Sequence, residues 1–81
     1  MSVLIYSTAL CGYCIQAKMW FESQDIPYTE IVLDNQEAIA KFKEDCPGAT
    51  TVPQILINDI LHEGGYDGLM ENREYVLEML K

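Results

Sequence analysis

Two cysteines separated by two residues, in Cys11-Gly12-Tyr13-Cys14, are the side chains of this 81-residue sequence best suited to chemistry. A thiolate is the nucleophile of disulfide exchange. Two thiols at this spacing can pass through a mixed disulfide on one and then an intramolecular disulfide between both. Cys11 falls where a strand gives way to a helix, so its sulfur meets backbone amides with no partner inside the helix, at the positive end of the helix dipole. Cysteines so placed have pKa values lowered to about 3.5–7.5. Cys11 is therefore expected to attack, and Cys14, one turn into the helix and better shielded, to resolve the mixed disulfide. Half of a zinc site is the other use of this spacing. It needs two further ligands, and the rest of the chain offers Cys46 and His62 without paired spacing, so redox chemistry is favoured and no metal is expected.

The elements that must position this pair alternate along the chain. Val3-Leu4-Ile5-Tyr6 is a short apolar run that suits a central strand covered on both faces. Residues 12–23 carry Ile15, Ala17, Met19, Trp20 and Phe21 at helical spacing, with no proline until Pro27. Residues 28–33 are rich in strand formers, and the intervening helix makes the two strands a parallel crossover pair. Asp34 and Glu37 have the form of a capping box, after which Ala38, Ile39, Phe42 and Cys46 line a helix that Pro47 stops. Residues 54–58 and 60–63 flank Asn58-Asp59, a pair that tolerates the positive φ of a tight hairpin. After Gly64-Gly65, Leu69, Arg73, Val76, Leu77 and Leu80 keep helical period, with Asp67 as candidate N-cap. The predicted architecture is α/β, a four-stranded mixed sheet with three helices, in the order strand, helix, strand, helix, strand, strand, helix.

Length permits one domain over residues 1–81. Hydrophobic residues at 49% and charged residues at 22% are ordinary for a folded domain and exclude a disordered chain. Thirteen acidic against five basic side chains give a net charge of −8, which opposes approach to nucleic acid or anionic membrane. The first cation is Lys18, so a basic signal region is absent, and no apolar run reaches the length of a membrane span. A cytoplasmic protein is the expectation. Three cysteines are too few for a secreted disulfide scaffold.

Three stretches together resemble the small dithiol glutaredoxins, within the thioredoxin-like superfamily. They are Val3-Leu4-Ile5-Tyr6-Ser7 ahead of Cys11-Gly12-Tyr13-Cys14, then Thr51-Val52-Pro53-Gln54, then Gly64-Gly65-Tyr66-Asp67. The resemblance spans essentially the whole chain and implies a thioredoxin-like fold. It also implies a glutathione-dependent thiol-disulfide oxidoreductase acting on protein disulfides and glutathione mixed disulfides. On that resemblance Cys11 is the sulfur that becomes glutathionylated and Cys14 the resolving thiol. Tyr13, Thr51, Val52, Pro53, Gly65, Tyr66 and Asp67 would bind glutathione. Pro53 corresponds to a cis-proline, Val52 would offer its backbone to the cysteinyl part, and Asp67 would meet the γ-glutamyl ammonium. The implied partners are glutathione and disulfide-containing or glutathionylated proteins, ribonucleotide reductase among them, with the protein a monomer. Two alternatives stay open: a homodimer binding an iron-sulfur cluster through Cys11 and glutathione, for which Gly12 leaves room, and a redoxin reduced by thioredoxin reductase.

Other residues invite plainer readings. Cys46 suits core packing, His62 a structural place in a short strand, and Trp20 and Phe21 packing on the helix. Lys18 and the acidic run of Glu71, Glu74 and Glu78 suit wet helix faces. The chain also departs from the glutaredoxin pattern: Gly12 stands where proline is common, and Thr8 where a lysine would bind the glycyl carboxylate. Ala40 stands where a basic or amide side chain is typical, with Lys41 or Lys43 as nearby substitutes, and Gly68 replaces a frequent aspartate. These losses predict a glutathione KM above that of a lysine-bearing homologue. Steady-state kinetics of the two side by side check it, and an equal or lower KM here refutes it.

Overall fold

The computed structural model describes residues 2–62 and 64–80. In chain order its elements are β1 (Val3–Ser7), α1 (Gly12–Ser23), β2 (Thr29–Val32), α2 (Gln36–Asp45), β3 (Gln54–Ile57), β4 (Ile60–His62), α3 (Gly65–Glu71) and α4 (Arg73–Met79). The sheet runs β2-β1-β3-β4, with β1 parallel to β2 and both other pairings antiparallel. This is the mixed four-stranded arrangement expected from the sequence. Glu63, expected in the last strand, lies outside the described residues.

Side-chain alternation along the central strands decides the layering. Val3 and Ile5 of β1 and Ile55 and Ile57 of β3 point to one face, where they meet Ala17 and Phe21 of α1, Leu69 of α3 and Val76 of α4. Tyr6 and Leu56 point to the other, against Phe42 and Cys46 at the end of α2. A strand feeding both cores must be apolar at successive positions, which is why β1 reads as a continuous run. Cys46, 1% exposed, is the buried small hydrophobe its helical position suggested.

Local signals were less exact guides to the ends of elements. The N-cap of α2 is Asn35, whose Oδ1 accepts from the Ala38 amide at 2.8 Å. The expected box of Asp34 and Glu37 is therefore displaced by one residue; Asp34 instead accepts from Asn35 Nδ2, and Glu37 lies in the first turn, where the helix dipole favours it. α1 ends before Pro27 does its work. Asp25 adopts φ 56°, and the Ile26 amide reaches back to Phe21 O at 2.9 Å while that of Asp25 reaches Glu22 O, the paired bonds of a Schellman motif. Within α1 the buried residues are Cys14, Ala17 and Phe21, whereas Ile15 and Met19 are exposed; Trp20 is half-buried with its ring edge-on to Phe21.

The expected third helix is two, giving four among the described residues. The Asn72 side chain donates to Gly68 O at 2.8 Å, onto the carbonyl that also receives the Asn72 amide, and the chain restarts as α4 at Arg73. An asparagine that hydrogen-bonds nearby backbone competes with the helix ladder, and periodicity alone is blind to that. Asp67 is not the N-cap either. Gly64, at φ +94°, takes that place, and its carbonyl accepts from Gly68 to close the first turn. The Asn58-Asp59 hairpin has the positive φ values expected of it, 53° and 67°.

On the α2 side, the fully buried Tyr6 donates its hydroxyl to Asp45 Oδ2, which also pairs with Lys41 Nζ at 3.2 Å. Tyr6, and after it Lys41, holds the Asp45 carboxyl below the ordinary carboxylate range against the opposing effect of burial. A lowered folded-state pKa stabilises the fold above the unfolded-state value, and that gain is lost as pH falls through the folded one. Tyr6→Phe is therefore expected to lose about 1–2 kcal/mol at neutral pH. The gap from the parent protein should narrow as urea titrations are repeated at falling pH, as the folded-state carboxyl becomes protonated.

Candidate functional site

Three segments meet at one end of the sheet. The first is the start of α1, where Cys11 is the N-cap in extended backbone, its φ and ψ at −126° and 107°. That geometry turns the Cys11 sulfur back over the first helical turn. The Cys14 amide donates to Cys11 Sγ at 3.2 Å, so one of the helix's orphan N–H groups is spent on the sulfur. Cys11 is part-exposed, while Cys14, seven residues after the fully buried strand end at Ser7, is 1% exposed. Burial first, then its contact with Cys11, pushes the Cys14 thiol up to about 12; the Thr8 backbone and Lys18 act in the opposite direction. The two sulfurs thus stand in different environments, one open and amide-bonded, the other dry.

The second segment is residues 51–54. The Val52–Pro53 peptide is cis, as the family resemblance implied. Val52 O lies 3.8 Å from Cys11 Sγ and accepts from it, so the thiol and this carbonyl face each other across the mouth of the site. Gln54, a buried polar residue opening an otherwise apolar strand, donates from Nε2 to Thr51 O at 2.9 Å and also contacts Thr51 Oγ1 at 3.3 Å. It clasps the turn that carries Val52.

The third segment is the glycine turn into α3. Gly65 has φ +57°, and a Cβ there would stand 3.1 Å from Pro53 O; one on Gly64 would stand 2.9 Å from Gly68 Cα. Glycine is needed at both positions for the conformation and for this close approach. The arrangement brings Tyr66 over Tyr13, their rings stacked with centroids 6.0 Å apart. Tyr13, Thr51, Val52, Pro53, Gln54, Gly64, Gly65, Tyr66 and Asp67 line a cleft of about 200 Å3 beside Cys11.

Every residue singled out in the sequence as a ligand contact therefore lies on this cleft, with Cys11 facing its Val52 side and Cys14 buried behind. Gln54 was quoted in a motif but given no role, whereas Gly64 was read with Gly65 as letting the backbone approach a ligand closely. The signal for Gln54 was an amide side chain at the head of a fully buried strand. Asp67 is exposed in the first turn of α3 and is the one charged side chain among the described residues lining the cleft. Lys18 is ion-paired with Glu30 and Lys41 with Asp45. Ala40 and Lys41 line a separate groove with Ile31, Asn35 and Glu44. Cys46 belongs to the core on the opposite face of the sheet and His62 to β4, paired with Ile55, so neither joins the dithiol. Among the described residues no helix is long and apolar enough to cross a membrane.

A family model described as Glutaredoxin matches residues 3–61. Glutaredoxin 1 of Rickettsia felis is 42% identical over 72 residues, which make up 86% of this chain and 70% of that one. The crystal structure of glutaredoxin 1 from Francisella tularensis complexed with cacodylate superposes with a TM-score of 0.79 at 34% identity, covering 95% of this chain and 96% of that one. A buckwheat glutaredoxin solved as a glutathione complex gives a TM-score of 0.80 at 30% identity, covering 96% of this chain and 74% of that one.

The unequal burial of the cysteines has a direct consequence for labelling. In the folded, reduced protein at about pH 8, iodoacetamide is expected to modify Cys11 alone, because the buried Cys14 and Cys46 both have raised pKa values and alkylation needs an accessible thiolate. Peptide mapping reads the result; label on Cys14 or Cys46 at a comparable rate contradicts the geometry.

Proposed function

The chain belongs to the glutaredoxin family of thiol-disulfide oxidoreductases, and from that premise we propose that it reduces protein disulfides and glutathione mixed disulfides at the expense of glutathione. The observation that carries this reading is the Cys11 sulfur, held at the mouth of α1 by the Cys14 amide and facing the Val52 carbonyl at the edge of the tyrosine- and glycine-lined cleft. The amide at 3.2 Å is a donor aimed at the sulfur that attacks.

In this reading Cys11 attacks a disulfide, forming a mixed disulfide as the first thiolate leaves with its electron pair and takes up a proton. With a glutathionylated client, the glutathionyl sulfur ends on Cys11 and a second glutathione thiolate releases it as oxidised glutathione. With a protein disulfide, Cys14 attacks Cys11, the client leaves as a dithiol, and two glutathiones then reduce the Cys11–Cys14 bond. Capping Cys11 removes the thiol contact that raises the Cys14 pKa, so the second cysteine becomes more acidic when it is needed.

The cleft supports glutathione as the partner. Backbone of Val52 beside the cis-proline gives an extended edge for the cysteinyl part of the tripeptide, against Pro53. Tyr13 and Tyr66 form an aromatic wall, Gly65 lets the backbone come close, and Thr51 lines the cleft beside Val52. The Asp67 carboxylate faces the γ-glutamyl ammonium. All of these come from one chain, so the reading needs no second copy. A reducing compartment such as the cytoplasm suits a dithiol regenerated this way.

Treatment with oxidised glutathione followed by mass spectrometry tests ligand and nucleophile together. Cys14→Ser is expected to carry one glutathione on Cys11 and to keep mixed-disulfide reduction while losing dithiol reduction of proteins. Cys11→Ser should lose both activities, and activity surviving in that variant removes the mechanism.

A further inference from the structure

The exchange described above assigns nothing to Lys18, yet this side chain stands behind the dithiol. It follows Cys14 by four residues on α1, which puts the two on one helix face. Lys18 Nζ lies 2.8 Å from Glu30 Oε2 on β2, and Ser7 Oγ at the end of β1 donates to that same oxygen at 2.6 Å. Ser7 is fully buried, and the Lys18 and Glu30 side chains are only 24% and 28% exposed. A helical lysine in water samples many rotamers; this one is tethered to two strands. The next residue after Ser7 is Thr8, whose backbone acts to lower the Cys14 pKa.

We propose that Lys18, oriented by Glu30 and Ser7, is a positioning residue for the resolving half of the exchange, stabilising negative charge on Cys14 as it attacks the mixed disulfide at Cys11. The inference rests on the exchange chemistry proposed above. In this step the Cys14 sulfur gives its proton to solvent and bonds to the Cys11 sulfur. The bond from Cys11 to the outgoing sulfur breaks, and that sulfur leaves with the electron pair and takes up a proton.

The groups that set the charge on Cys14 are Cys11 and Lys18 from α1 and the Thr8 backbone. Glu30 on β2 and Tyr28 just before it act on Lys18 itself. The raising effect of Cys11 disappears once its sulfur is capped. Burial then remains on one side, with the Thr8 backbone and the Lys18 charge on the other. Glu30 raises the Lys18 pKa, so the ammonium stays charged across the working range and does not itself take the proton. The ammonium is held one helical turn from a dry sulfur by its bond to Glu30; the lysine itself is part-exposed, and it is the burial of the sulfur that weakens the screening between them.

The test mixes reduced protein with oxidised glutathione, quenches in acid, and follows formation and decay of the Cys11 adduct by mass spectrometry from about pH 6 to 10. Lys18→Gln keeps a hydrogen-bond donor toward Glu30 and removes only the charge. It is expected to slow adduct decay about tenfold near neutral pH and to move the pH midpoint of decay upward by about one unit. Lys18→Arg should return the midpoint to that of the parent protein. A midpoint that does not move in Lys18→Gln overturns the inference whether or not decay is slower, since a merely structural role changes rate without changing titration. Absence of any adduct on Cys11 would instead overturn the exchange reading, and the role of Lys18 with it.

Discussion

Everything at this site depends on one hydrogen bond, from the Cys14 amide to the Cys11 sulfur. A helix begins with amides that its own carbonyls cannot reach, and a sequence can spend them on a serine or aspartate oxygen, on water or on a ligand. Here the first turn spends one on sulfur. That choice joins structure to reactivity, because the atom that caps the helix is the atom that must carry negative charge. It also constrains the strand before it. β1 is clamped between two cores and paired on both edges, so the point where it releases the chain into α1 is held firmly.

The rest of the site is built against that junction by close backbone approach. The Gly64-Gly65 turn packs on Pro53 and Gly68 at distances that a side chain would not allow, and Gln54 braces the turn bearing Val52 from beneath. Few side chains are committed to the cleft, and only Asp67 among the described lining residues is charged. A surface of backbone edges and two tyrosines suits an extended peptide-like ligand whose polar groups pair with main chain. The strongly acidic chain has few cations, and Lys18 and Lys41 are each ion-paired with a carboxylate.

Burial divides labour between the two cysteines. They are three residues apart, but the helix turns one toward solvent and the other into the interior, where desolvation raises its pKa. From the buried Ser7 outward, the Lys18–Glu30–Ser7 chain joins the helix to both strands of the parallel pair at the part-exposed margin of the fold. Sequence inspection assigned Lys18 to a solvated face, since nothing about a lysine four residues past a cysteine announces a partner twelve residues further on.

Much of the molecule was legible in the chain. The doubled cysteine, its place at a strand-to-helix junction, the order of elements and the Asn58-Asp59 turn all follow from short-range rules: periodicity, steric freedom at positive φ, and the chemistry of thiols. The family resemblance supplied the cis-proline and the glycine turn. Where helices begin and end was different. Asn35 displaced Asp34 as a cap, Gly64 displaced Asp67, and Asn72 divided the last helix, because each outcome depends on which backbone group a short polar side chain or a flexible glycine finds in three dimensions. The sequence by itself determined which residues could react and roughly which elements carry them. Only the tertiary structure decided that Cys14 is dry, that Lys18 is anchored to β2, and that Gly65 touches Pro53. Those relations join residues distant in the chain, and they arise from packing that no local pattern encodes.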